Sequence, residues 1–164
     1  VYTAHSLPLG MADGCRYTAQ LEEACRLVMA QLEGSFSWKL VYQSRSGPPT
    51  QPWLEPDVCD YLRDVHEVGE HTDVVVVPIG FISDHMEILF DLDTEAQELC
   101  SEIGLGMVRA STVGTDPRFV SMIRELVLER TSGASREYLG AQGASHDICP
   151  QDFCPSGRPA GPAR

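Results

Sequence analysis

The stretch "VVVVPIGFISDHMEILFDLDTE", Val74 to Glu95, decides the fold. Four consecutive valines show no polar alternation, the pattern of a parallel strand buried on both faces, so this run is expected at the centre of a sheet. A proline and a glycine, Pro78 and Gly80, follow it, and a helical segment is expected to begin near Asp84 and to end before Gly104. The turn and its helix also gather Asp84, His85, Glu87, Asp91 and Glu95.

Three more short β-branched or aromatic runs, Val1 to Ala4, Trp38 to Tyr42 and Met107 to Ala110, alternate with helical patterns. That alternation predicts an α/β fold with a four-stranded parallel sheet flanked by crossover helices. The first helix is expected over Tyr17 to Glu33, with Leu21, Ala24, Cys25, Val28 and Leu32 on its apolar face and Gly34 as its stop. The second is expected over Pro56 to Val68, stopped by Gly69. The last has Asp116 as N-cap and Pro117 at its first position, and is expected to bury Phe119, Ile123, Leu126 and Val127. From Thr131, Gly, Ser, Ala and Pro dominate. The chain therefore divides into a folded unit, 1–130, and a tail of low order, 131–164.

At 164 residues and 43% hydrophobic composition, the chain has material for one core. Its 24 acidic residues against 12 basic ones leave a net charge of -12 and no basic stripe, which argues against nucleic acid as a partner. No apolar run reaches the roughly 18 residues a spanning helix needs, and the start lacks a signal-peptide pattern, so the expectation is a cytoplasmic protein with no membrane span. Of six cysteines, Cys15, Cys25, Cys59 and Cys100 fall in helix-like segments and are expected to be buried thiols; Cys149 and Cys154 lie in the tail. Val1 opens directly as a strand, which suggests a fragment of a longer chain.

Ligands of open parallel sheets bind at the carboxyl ends of the strands. The segments there, "AHSLP", "QSRSGPP", "IGFISDH" and "STVGTDP", supply His5, Ser6, Gln43, Arg45, His85 and Glu87. Glu87, Asp91 and Glu95 are four apart and stack on one helix face, where like charges repel. Two readings stay open. The acids form a path for a cation, or Asp84-x-x-Glu87 is a reciprocal cap and the rest a solvated acidic face. His5 likewise reads either as a site residue or as a core histidine satisfied by backbone.

"TAHSLP" at Thr3 to Pro8, "LVYQSRSGPPTQPWLEP" at Leu40 to Pro56 and "PIGFISDHMEILFDLD" at Pro78 to Asp93 resemble, in order and spacing, the catalytic half of the ferrochelatases. The similarity covers about Val1 to Arg130, and the tail "SHDICPQDFCP" resembles that of actinobacterial members, which use coproporphyrin III. The resemblance implies a Rossmann-like chelatase half whose N-terminal partner half is missing, and insertion of Fe2+ into a porphyrin, with coproporphyrin III favoured over protoporphyrin IX. It implies that His5 and Glu87 form the metal-site and proton-transfer pair, with His85 as the supporting histidine. Asp91 and Glu95 would continue a relay for metal or protons, although the family commonly has Glu where Asp91 stands. Tyr17 and Trp53 match aromatic positions at the pocket lip, and Phe81 matches an apolar lining residue.

The chemistry suits those residue types. Metal insertion removes two pyrrole protons and strips water from the ion. A histidine of ordinary pKa about 6.5 accepts protons near neutrality, carboxylates are oxygen donors for the ion, and aromatic walls fit a macrocycle. Cys149-x4-Cys154 resembles the end of the family's pattern for a [2Fe-2S] cluster, which normally takes four thiolates. A further family cysteine is absent, with Glu137 standing near its place, so free thiols or a labile disulfide are the alternatives. Two other functions stay in view: a related cobalt or nickel chelatase, and a non-catalytic tetrapyrrole-binding module.

Overall fold

The computed structural model describes residues 1–48 and 50–149. Four parallel strands carry the fold: β1 (Tyr2–His5), β2 (Leu40–Gln43), β3 (Asp73–Val76) and β4 (Gly106–Arg109). β1 pairs with β2 from Tyr2↔Leu40 to His5↔Gln43, and β3 with β4 from Asp73↔Gly106 to Val76↔Arg109. The two ladders join because the Thr3 amide donates to the Val77 carbonyl and the Val77 amide to the Val1 carbonyl, both at 2.8 Å. The resulting order is β2-β1-β3-β4, and the valine run is an inner strand, as its composition predicts.

The helices are α1 (Leu9–Ala12), α2 (Tyr17–Met29), α3 (Val58–Val68), α4 (Met86–Phe90), α5 (Gln97–Ile103) and α6 (Pro117–Thr131), with a π-helical turn, Asp91–Ala96, between α4 and α5. α3 and the α4–π–α5 rod share one core with the sheet, built on Val41, Val58, Leu62, Val76, Ile88, Leu92, Ala96, Cys100 and Leu105. α2 shares a second core with Tyr2, Ala4, Leu40 and Tyr42, through Leu21 and Cys25. The alternation of strand side chains explains the division: Tyr2 and Ala4 face α2, whereas Val41 and Val76 face the rod.

Local signals set several helix ends. The Asp57 carboxylate accepts the Cys59 amide at 2.8 Å at the start of α3, and Gly69, at φ 70°, closes it. Asp116 and Pro117 start α6 as expected. α2 departs from expectation. It ends at Met29, and the Gln31 and Leu32 amides then bond to the Val28 and Met29 carbonyls, an i to i+3 tightening that finishes the helix before Gly34 is reached.

Two burial expectations are overturned. The valine run is not covered on both faces: Val75 is 57% exposed and its register neighbour Val108 is 66% exposed. The cause is that α2 covers the β1–β2 half of its face and leaves the β3–β4 half bare. The last helix buries none of its residues, and Ile123, Leu126 and Val127 are exposed. Its amphipathic stripe is real, but among the described residues no element lies against it deeply enough to cover it.

Among the described residues no regular element follows Thr131, yet residues 141 and 142 are bonded to α2. Buried Glu23 on α2 accepts the Ala141 amide, and Gln142 donates to the Ala19 carbonyl at 3.1 Å. Among the described residues no helix is long and apolar enough to cross a membrane.

Candidate functional site

His5 ends β1 and Gln43 ends β2, side by side in register at the carboxyl edge of the sheet. The His5 ring is held at Nδ1, 2.6 Å from the Ser6 carbonyl oxygen. A carbonyl only accepts, so Nδ1 carries the hydrogen and the neutral ring keeps its lone pair on Nε2. That Nε2 lies 3.7 Å from Glu87 Oε1. Both side chains stay partly open to solvent, at 32% and 48% exposure. The core-histidine reading of His5 therefore fails: backbone satisfies one ring nitrogen, and the other faces a carboxylate.

Glu87 sits in the first turn of α4, and the residue that caps this helix is His85, whose Nδ1 accepts the Glu87 amide at 3.3 Å. The reciprocal cap between Asp84 and Glu87, one of the two open readings, does not form. Asp84 instead pairs with Arg109 of β4 at 3.1 Å, and Arg109 also holds Asp93 through two bonds, one of them 2.8 Å. A guanidinium shared by two carboxylates explains why the acidic turn tolerates its charge. The His85 ring packs edge-on against Phe81, centroids 5.2 Å apart.

The π-turn keeps Asp91 and Glu95 on one side, but the two have different surroundings. Asp91 Oδ2 accepts from Gln43 Nε2 at 3.1 Å and from the Ser44 hydroxyl. Glu95 is exposed and lines, with Asp57, Cys59 and Asp91, a recess of about 290 Å³. Burial first, then the nearby charges of Asp60 and Asp91, raises the Asp57 pKa above its ordinary range.

Tyr17 is tied to the site from α2: its hydroxyl donates to the His5 carbonyl at 3.0 Å, and burial pushes its pKa up to about 12, so it remains a phenol. Trp53 is placed otherwise than a lip residue would be. It is 8% exposed, and a Cβ at Gly47 would come within 2.3 Å of its ring, so the indole lies directly against the Gly47 backbone. Pro8 bridges to Trp53 and the Ser6 hydroxyl donates to the Leu54 carbonyl at 2.9 Å, so this segment pins the loop after β1 to the loop after β2. Of the four cysteines expected to be buried, Cys25 and Cys100 are, whereas Cys15 and Cys59 are half-buried; Cys149 is an exposed free thiol, and Cys154 lies outside the described residues.

Sequence reading placed Gln43 at the carboxyl edge without its role, and missed Ser44 and Arg109 as site-building residues. Gln43 was visible only as a polar residue at a strand end. Arg109 was the one signal available for the acids, a lone basic residue in a strand otherwise apolar.

Set against known proteins, residues 1–131 match the family model described as Ferrochelatase. The chain is 56% identical over 155 residues to a ferrochelatase of Rhodopirellula baltica, covering 94% of this chain and 44% of the relative. It is 45% identical over 177 residues to a coproporphyrin III ferrochelatase of Streptomyces griseus, covering 96% and 47%. The chain thus spans about half the length of the curated relatives it matches. A crystal structure titled as a putative cobalamin biosynthesis CbiX protein from Marinobacter aquaeolei shares the fold, with a TM-score of 0.54, 20% identity, and coverage of 81% of this chain and 96% of that one. With the motifs in order along its strands and the family match running from its first residue through α6, this chain belongs to the ferrochelatase family.

Proposed function

We propose that this chain is the part of a ferrochelatase that carries the chemical centre for inserting Fe2+ into a porphyrin, with coproporphyrin III as the macrocycle. The observation that carries the reading is the pairing of His5 Nε2 with Glu87 Oε1 at 3.7 Å on the carboxyl edge of the sheet. Insertion replaces two pyrrole N–H protons by one Fe2+, so the site must accept two protons and release the ion from oxygen ligands. His5 Nε2, its lone pair left free by the Nδ1 bond, takes the two pyrrole protons one after the other, releasing the first to solvent at the open side of the cleft before it accepts the second. The imidazolium so formed is stabilised by the facing Glu87 carboxylate, since an opposite charge at this range favours the protonated ring. Before that step the same carboxylate holds Fe2+, a hard donor matched to a metal that must be handed on. Asp91 and Glu95 continue the path away from the cleft, and His85, with Phe81 against it, fixes the turn from which Glu87 projects.

Support for coproporphyrin III comes from the names of relatives such as that of Streptomyces griseus. The partner half is supported by the bare apolar surface of Val75, Val108 and α6, which a second body would cover. Alone, the chain is expected to be poorly active. The test is zinc insertion followed by porphyrin fluorescence on the full-length gene product, with coproporphyrin III and protoporphyrin IX compared. His5→Ala and Glu87→Gln should each abolish turnover while leaving the fold intact. Activity retained in both variants refutes the assignment.

Of the tail pair that would ligate a [2Fe-2S] cluster, which normally takes four thiolates, Cys149 is an exposed thiol and Cys154 lies outside the described residues. A visible absorption band that disappears on iron removal is the cluster's signature, and a colourless anaerobic preparation of the full-length protein eliminates it.

A further inference from the structure

We propose that Gln43, assisted by Ser44, is a positioning residue that sets the separation of His5 and Glu87, an inference that rests on the chelatase reading above. Gln43 is the register partner of His5, so its backbone is fixed relative to the histidine by the β1–β2 ladder. Its side chain, 1% exposed, crosses to the other component of the site: Nε2 donates to the Glu87 backbone carbonyl at 3.3 Å and to Asp91 Oδ2 at 3.1 Å. One amide therefore ties the strand beside His5 to the helical turn that presents Glu87.

Three further observations support a directional role. Gln43 Oε1 is buried without a hydrogen-bond partner. Turning the amide over would not help it, because Oε1 would then meet a carbonyl and a carboxylate, both acceptors. A buried amide with its acceptor unused opposes stability, so an apolar side chain of the same length would serve the core better. What that side chain could not do is hold α4 by a directional bond. Ile88 and Leu92 anchor the rod in the core, but apolar contacts are non-directional and leave its rotation less defined. Lastly, Ser44 holds φ 61°, a left-handed conformation rare outside glycine, and in it the Ser44 hydroxyl reaches the same Asp91 oxygen.

The test is Gln43→Met, which keeps length and removes the donors, together with Ser44→Ala and the double variant, in the full-length gene product. Gln43→Met is expected to melt at or above the wild-type temperature, since the unpaired Oε1 is gone. Its kcat for zinc insertion should fall about tenfold or more with KM for the porphyrin held within about twofold, as misplacement of a reacting group predicts. Its crystal structure should show His5 Nε2 and Glu87 Oε1 more than about 5 Å apart, beyond the range of a close ion pair. Ser44→Ala should lower kcat less, because Gln43 still grips both acceptors. If Gln43→Met does not fold, Ser44→Ala decides by the same readouts. A lower melting temperature with kcat unchanged, or a separation still near 3.7 Å, overturns the proposal. A wild-type protein that inserts no metal defeats the chelatase reading instead, and the crystallographic separation then decides the positioning role by itself.

Discussion

Replacing Gly80 with alanine tests how closely the loop after β3 must seat on β1. A Cβ at Gly80 would lie 2.6 Å from the Ala4 Cβ and 2.8 Å from the Ala4 Cα. Carbon atoms pack at about 3.5–4.0 Å, so the loop would have to retreat by about 1 Å. Ala4 belongs to a sheet strand and cannot yield by rotating a side chain. The same retreat stretches the bond from the Gly80 amide to the Thr3 carbonyl, now 3.0 Å, beyond hydrogen-bonding range. Overpacking of this kind costs about 1–3 kcal/mol and the lost bond about 1 kcal/mol, giving a destabilisation of roughly 2–4 kcal/mol. For a domain of this size that lowers Tm by about 5–15 °C. The loop leads directly into the turn bearing Glu87, while His5 follows Ala4, so the ångström is added where the two side chains must meet. Misplacement on that scale lowers turnover by about a hundredfold. Scanning calorimetry and fluorescence-detected zinc insertion at a temperature where the variant is folded measure the two effects separately. Gly10→Ala serves as control, since nothing lies within 4 Å of a Cβ there. A Gly80→Ala protein that melts and turns over like wild type would refute the close-approach argument.

The half-buried Asp57 carboxylate, whose pKa is raised above 3.8, favours the folded state when protonated, so its contribution to stability declines as pH rises from about 3.8 through the raised folded value. Asp57→Asn keeps a competent cap without the charge and should be more stable than wild type at neutral pH, an advantage that denaturant titrations should find shrinking as pH falls from the raised folded value toward about 3.8. Burial raises the Cys25 and Cys59 thiols to about 11, and acids around Cys59 add to its shift; native alkylation near pH 8 followed by peptide mapping should label exposed Cys149 well before either. Ile123→Glu on α6 should change the stability of the isolated chain by less than about 0.5 kcal/mol, because the side chain is already 47% exposed, yet should impair the activity or assembly of the full-length protein. Wild-type behaviour in both assays would mean that nothing docks on this stripe.

The sequence alone determined the four strands and the main helices, because valine runs, helical periods and a capping residue such as Asp116 act within one turn of chain. It also placed His5 and Glu87 at the same edge of the sheet, since parallel topology sends every strand's carboxyl end there. Tertiary structure decided what depends on contacts between distant segments. The π-turn at Asp91, the ring tautomer of His5 imposed by Ser6 and the pairing of Arg109 with Asp84 and Asp93 leave no periodic trace. The same is true of burial: a run of valines or an amphipathic stripe states a capacity to be covered, and only the packed chain reveals that Val75 and α6 remain bare. Hydrophobic patterning is local, whereas coverage and hydrogen-bond partners are properties of the whole assembly.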